Sequence, residues 1–188
     1  MNKEEFSKVL NREKYSYEIE GDKIIVNRKG DVDLRALTSL PPGVEFMNEG
    51  RVDLNSLTSI PPGVEFKNGG YVYLDALTSI SPGVVFSNEG TVILGSLTSL
   101  PPGMEFKNGG GVWLKSLTSL PPGVEFRNGW YIYLNRLTSL PPGMEFKNGG
   151  DVLLMDLIGG YFKDWKGNIE GIDSKRLLNS MIKRGMFI

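Results

Sequence analysis

The sequence contains neither histidine nor cysteine. That absence removes the usual zinc ligands, the Ser-His and Cys-His pairs of nucleophilic catalysis, and any disulfide framework. There is no excess of charge either: 21 basic against 22 acidic side chains leave a formal net charge of −1, too weak a field to gather a nucleic acid or to imitate one. No apolar run approaches the roughly 18 residues of a membrane span, and the first residues, MNKEEFSKVLNREK, are polar where a secretory signal is apolar. These gaps predict a soluble, cytoplasmic protein with no metal, cofactor, nucleic acid or membrane among its partners. Carboxylates alone can serve as acid, base or nucleophile, but no acidic pair is singled out. The NGG segments also lack the lysine and hydroxyl residue that end a phosphate-binding loop. The expectation is a protein that is not an enzyme.

What is present is a repeat. Residues 31–150 divide into six consecutive units of 20 residues without insertion or deletion, two of them being RVDLNSLTSIPPGVEFKNGG and GVWLKSLTSLPPGVEFRNGW. A seventh starts at Asp151 with DVLLMDL and leaves the pattern at Ile158. All 11 prolines and 17 of the 24 glycines fall inside the six units, which makes them punctuation of the repeat and not low-complexity composition. Each unit has two period-two apolar pairs, such as Val52 with Leu54 and Val64 with Phe66, joined by a segment carrying Leu57 and Ile60. Pro61, Pro62 and Gly63 make one corner; Asn68, Gly69 and Gly70 make the other. Only short strands fit between such corners. The pattern predicts a mainly β fold: a right-handed β-solenoid or leucine-rich-repeat-like rod of 20-residue coils whose equivalent strands pair in parallel. Residues 1–30 are expected as an N-terminal cap of helix plus hairpin, 31–157 as the solenoid, and 158–188 as a C-terminal cap with a helix at about 174–184.

The period and the L-T-S-L-P signature, as at Leu97 to Pro101 and Leu137 to Pro141, resemble the bacterial-type leucine-rich repeats of effectors and small bacterial or phage proteins. The resemblance covers about two thirds of the chain. It implies a protein-binding scaffold whose ligand face lies on the exposed positions of the main strand, and an inhibitor of another protein fits it by analogy; it carries over no catalytic residue. Here V-x-L-x-x-L precedes T-S-L-P and the asparagine follows V-x-F, which departs from the family's order. Both a leucine-rich-repeat arc and a straighter β-solenoid accommodate that order.

Several constant columns have structural readings. Asn48, Asn68, Asn88, Asn108, Asn128 and Asn148 suit a corner, where the side chain satisfies backbone groups and tolerates a left-handed conformation. The threonines from Thr38 to Thr138 and the serines beside them read as a hydroxyl ladder whose two columns alternate in direction, which argues against a flat ice-binding array. Glu45, Glu65, Glu105, Glu125 and Glu145 are followed two residues later by Met47, Lys67, Lys107, Arg127 and Lys147, a self-compensating charged surface. In the third unit Val85 and Ser87 replace both members together. Lys175, Arg176, Lys183 and Arg184 read as the wet side of the last helix.

The variable columns are the first, third and fifth positions of each unit, which alternate with inward Val and Leu and so point outward from one strand. The first two coils are charged there. Later coils present Tyr71, Tyr73, Ile93, Trp113, Tyr131 and Tyr133, with Trp130 at the adjoining corner. Aromatic residues supply large contact area with few rotatable bonds. This face is therefore the expected protein-binding site, with Tyr73, Trp113 and Tyr133 as apolar centre and Asp33, Arg51 and Asp53 as polar edge. Two other readings compete with it: aromatic side chains stacking across strands only to stabilise the sheet, and two rods pairing through this face as a homodimer.

Overall fold

The computed structural model describes residues 1–141 and 144–154. The C-terminal cap expected at 158–188, with its helix, lies outside them. Equivalent residues pair in parallel 20 positions apart at every step, as in Val52 with Val72, Val72 with Val92 and Val92 with Val112, so one repeat unit is one coil of a β-solenoid. Two seven-stranded sheets run along the rod. The variable sheet consists of Val32–Asp33, Val52–Asp53, Val72–Tyr73, Val92–Ile93, Val112–Trp113, Ile132–Tyr133 and Val152–Leu153. The charged sheet consists of Tyr17–Glu20, Lys23–Val26, Val44–Phe46, Glu65–Phe66, Val85–Phe86, Glu105–Phe106 and Glu125–Phe126. A third side holds the short pair Ser59–Ile60 and Ser79–Ile80.

Alternation decides what goes inside. The Val and Leu of V-x-L and the Val and Phe of V-x-F point inward, meet Leu57, Ile60 and their equivalents, and form one core the length of the rod. Its spine is a stack of Phe46, Phe66, Phe86, Phe106, Phe126 and Phe146, with ring centroids 5.0–5.7 Å apart and neighbouring planes within 28° of parallel.

The two corners use glycine for different reasons. After the proline pairs from Pro41 to Pro122, and after their Ser-Pro equivalent, the chain needs a positive φ, which Gly63 supplies at 73°. At the other corner the need is space: a Cβ on Gly90 would stand 2.5 Å from the carbonyl carbon of Gly70, so at this step glycine is what lets the coils approach. The asparagine column staples these corners together. Asn68 Nδ2 donates to the carbonyls of Gly50 on the preceding coil (2.9 Å) and Gly70 on its own (3.0 Å), and Asn48, Asn88 and Asn148 repeat the two-coil pattern. The left-handed conformation expected for these asparagines does not occur: among the described residues Lys14 is the one non-glycine with positive φ, because glycine takes that duty at the other corner. The expected alternation of Thr and Ser is also absent. Both are exposed from Thr58 and Ser59 onward; the hydroxyls of Thr78 and Thr138 donate to the carbonyls of Thr58 and Thr118.

The N-terminal end is closed in three ways. A helix, Lys3–Arg12, opens with a capping box between Asn2 and Glu5 and buries Phe6 and Leu10. The hairpin's second strand enters the charged sheet, Ile24 pairing with Val44 and Val26 with Phe46, and so forms half a coil ahead of the first repeat. The Tyr15 hydroxyl accepts from the Asp33 N–H (2.9 Å) and donates to the Asp33 carbonyl (3.1 Å), occupying the open edge of the variable sheet.

That half-coil completes the charge pattern. Glu45 has no base two residues later, but Lys23 reaches both Glu45 (3.2 Å) and Glu65 (2.8 Å), and Lys67 bridges the same two acids. A second group joins Lys107, Arg127 and Lys147 to Glu105 and Glu125, beyond the break at Val85 and Ser87. Lys23 and then Lys67 hold the Glu65 carboxyl below its ordinary 4.5, while Glu45 and then Glu65 raise the Lys67 ammonium above 10.5. Folded Glu65 therefore binds fewer protons than the unfolded chain. Its contribution is complete above pH 4.5 and is lost as pH falls through the depressed folded value; that of Lys67 is complete below pH 10.5 and is lost as pH rises through its raised one. We expect Glu65→Gln to flatten the fall in urea midpoint on acidification. Parallel profiles for variant and wild type would remove Glu65 from the acid transition.

Candidate protein-binding face

The variable sheet brings the expected residues onto one side of the rod. Asp33, Asp53, Tyr73, Ile93, Trp113 and Tyr133 form a single in-register column down its middle. Asp31, Arg51, Tyr71 and Tyr131 belong to the column two residues earlier, and Trp130 stands at the corner beside it.

The charged end compensates itself. Arg35 grips Asp33 with two hydrogen bonds (2.8 and 2.7 Å) and lies 3.6 Å from Asp53, while Arg51 pairs with Asp31 at 3.1 Å. Arg35 holds the Asp33 carboxyl below its ordinary range. Asp53 is only 8% exposed and accepts from the Asn55 N–H, so it belongs to the sheet more than to its surface.

The aromatic end is split in two. Tyr71 and Tyr73 pack at 6.0 Å between ring centroids; Trp113 meets Tyr133 edge-on at 5.3 Å. Tyr73, Trp113 and Tyr133 are half-buried, while Tyr71, Tyr131 and Trp130 are exposed, Trp130 by 60%. Ile93 does not contribute free apolar surface: at 9% exposure it is sunk between its register neighbours Tyr73 and Trp113. Lys115, whose ammonium lies 4.5 Å over the Trp113 ring, and Asp75 were legible as members of the variable fifth column, yet neither stood out beside the aromatics.

Trp130 is the residue the coil itself does not explain. It occupies the corner position held by Gly70, Gly90, Gly110 and Gly150. A Cβ on Gly110 would lie 2.5 Å from the Gly90 carbonyl carbon, whereas at Gly150, the step after Trp130, the equivalent distance opens to 3.0 Å. The rod holds a large exposed ring in a column whose glycines leave little or no room for a Cβ.

Elsewhere, a cleft of about 460 Å³ beside the helix is lined by Val9, Arg12, Tyr15, Asp33, Arg35 and Leu37, among others, but Arg12 is held by Glu13 and Arg35 by Asp33. Among the described residues no cluster of acids is arranged to hold a metal ion, and no helix is long and apolar enough to cross a membrane. Compared with protein families, curated proteins and solved structures, the chain matches none.

Proposed function

We propose that this protein is a non-catalytic scaffold that binds a partner protein on the aromatic half of the variable sheet. Trp130 carries the reading: an exposed ring at a position where glycine suits the coil answers to something other than the coil. The solenoid presents Tyr71, Tyr73, Trp113, Tyr131 and Tyr133 from strands already fixed by inter-coil hydrogen bonds, so little order has to be imposed on binding. Occluding or tethering the partner, as an inhibitor does, follows from such a rigid face, and the likeness to short bacterial and phage leucine-rich repeats points the same way. A reducing cytoplasm suits a rod built without cysteine.

Trp130→Gly separates the two demands on this residue. Restoring the glycine should leave the unfolding midpoint equal or higher while weakening partner binding. Combined replacement of Tyr73, Trp113 and Tyr133 by serine should weaken it by about a hundredfold, the scale expected from losing aromatic anchors. Capture with wild type and variants, each checked by circular dichroism, tests this; a partner retained equally by all three baits rejects the face. A dimer seen by light scattering and lost in the triple variant would place a second copy of the chain there.

A further inference from the structure

The two sheets end differently at the N-terminal end of the rod. The variable sheet is closed there by the Tyr15 hydroxyl, whereas the charged sheet ends on the hairpin strand Tyr17–Glu20, which has a neighbouring strand on one side only. The register tells which backbone groups face out. The Asn27 N–H donates to the Ser16 carbonyl, so in this antiparallel pairing Ser16, Glu18 and Glu20 turn their backbone groups toward Asn27, Ile25 and Lys23, and the alternate residues Tyr17 and Ile19 turn theirs away. Among the described residues nothing bonds to those two N–H and two carbonyl groups.

Side chains on this edge divide by face. Tyr17 and Ile19 pair with the buried Val26 and Ile24 and so lie on the core side, but Ile19 stands one strand beyond the core and is 63% exposed. Glu18 and Glu20 lie on the opposite face, both exposed. Lys23, the register partner of Glu20, is committed to Glu45 and Glu65; Glu18 accepts from the Asn27 side-chain amide, and neither acid has a cation at ion-pair distance among the described residues.

We infer that this edge is a docking site separate from the aromatic face, and that it takes an extended segment of a protein partner, with lysine or arginine alternating with apolar residues, as one more strand of the charged sheet. Backbone bonding at Tyr17 and Ile19 holds the segment. Strand alternation then lays its basic side chains beside Glu18 and Glu20 and its apolar ones beside Tyr17 and Ile19. The same acids turn away a second copy of the chain. Two such strands paired antiparallel about a two-fold axis set Glu18 against Glu18, or Glu18 against Glu20, in either register that uses the outward groups of Ile19, and like charges directly opposite repel.

The test is titration of the isotopically labelled full chain with the blocked hexapeptide acetyl-Thr-Lys-Val-Lys-Val-Thr-amide, followed by amide NMR, against the same peptide with glutamate in place of both lysines. Saturable shifts are expected at Tyr17 to Glu20, with slowed hydrogen exchange of the Tyr17 and Ile19 N–H groups and affinity about tenfold lower for the glutamate peptide. Ile19→Pro removes an outward N–H while leaving the hairpin's own bonds and the charge of the edge in place, and should weaken the lysine peptide by about tenfold, its urea midpoint confirming the fold. Should that variant fail to fold, Glu18→Gln combined with Glu20→Gln is expected to weaken the same peptide by about tenfold. Equal affinity for the two peptides, shifts centred outside the hairpin, undiminished binding by folded Ile19→Pro or by the double variant, or no saturable shift up to about 20 mM would overturn the assignment. A dimer seen by light scattering and lost in Ile19→Pro would also overturn it, by giving the edge to a second copy. None of these variants touches the aromatic face, so the outcome leaves the reading of that face where its own test puts it.

Discussion

Phe86→Ala is expected to destabilise the protein by about 3–5 kcal/mol and to turn one unfolding transition into two. The ring is fully buried and stacks on Phe66 at 5.0 Å and on Phe106 at 5.7 Å, with planes 4° and 11° from parallel. Removing it leaves a cavity in the middle of the rod and forfeits two ring contacts, each worth about 0.5–1.5 kcal/mol beyond burial. In a solenoid each coil touches only its neighbours, so stability is close to a sum of coil terms and interface terms. Phe86 lies in the third coil and contributes to the interfaces on both sides; without it the two ends have less reason to unfold together. Among the described residues Phe46 has one ring neighbour, Phe66, and its alanine variant should lose about one ring contact less. Urea unfolding of both variants checks this, and equal midpoints would show that the stack does not couple the coils.

The second large effect is expected from a change of one atom type. In Asn88→Asp, a carboxylate oxygen replaces the amide nitrogen that donates to the carbonyls of Gly70 (3.0 Å) and Gly90 (2.9 Å). The site is buried, and the side-chain oxygens of the asparagine column accept no hydrogen bond, so the amide serves the corner only as a donor. A buried, uncompensated charge facing two carbonyls costs about 3–5 kcal/mol at neutral pH. Such surroundings raise the folded pKa of the new carboxyl above its unfolded value of about 3.9. The folded variant then binds more protons than the unfolded one, so its penalty relative to wild type is smallest below that unfolded value and grows as pH rises, becoming complete above the folded pKa. Urea midpoints of the pair at acidic and neutral pH measure the difference; a penalty independent of pH would mean that lost donation, not charge, is responsible.

Much of this architecture was legible because the repeat displays it six times. The coil length, the inward columns and the two kinds of corner follow from period-two apolar pairs between Pro-Pro-Gly and Asn-Gly segments, and parallel pairing 20 residues apart follows from the constant period. What escaped was whatever occurs once. Lys23 supplies the base that Met47 does not, but it sits ahead of the repeats, where KIIVNR reads as a hairpin or a first irregular coil and I-I-V only faintly resembles V-E-F, so its register against Glu45 is not marked. Outwardness was read from alternation alone, which gives the direction of a side chain and not its height. Ile93 and Asp53 point outward as expected and are nevertheless covered, since exposure in a column depends on the bulk of the neighbouring coils. The asparagines were rightly placed at a corner, but the donation across two coils depends on an inter-coil approach that only the folded backbone defines.

That approach also bears on chemical lifetime. Asn68, Asn108, Asn128 and Asn148 each precede glycine, the arrangement most prone to lose ammonia when the following backbone nitrogen attacks the side-chain carbonyl carbon. In the rod those nitrogens are occupied: the N–H groups of Gly69, Gly109, Gly129 and Gly149 donate to the carbonyls of Asn48, Asn88, Asn108 and Asn128 at 2.8–2.9 Å. Ring closure to the succinimide has to wait until a coil opens, and hydrolysis then leaves aspartate or isoaspartate where the corner needs a donor. Each opening thus risks being permanent, and the mass gained at these four positions is a record of how often the coils have come apart.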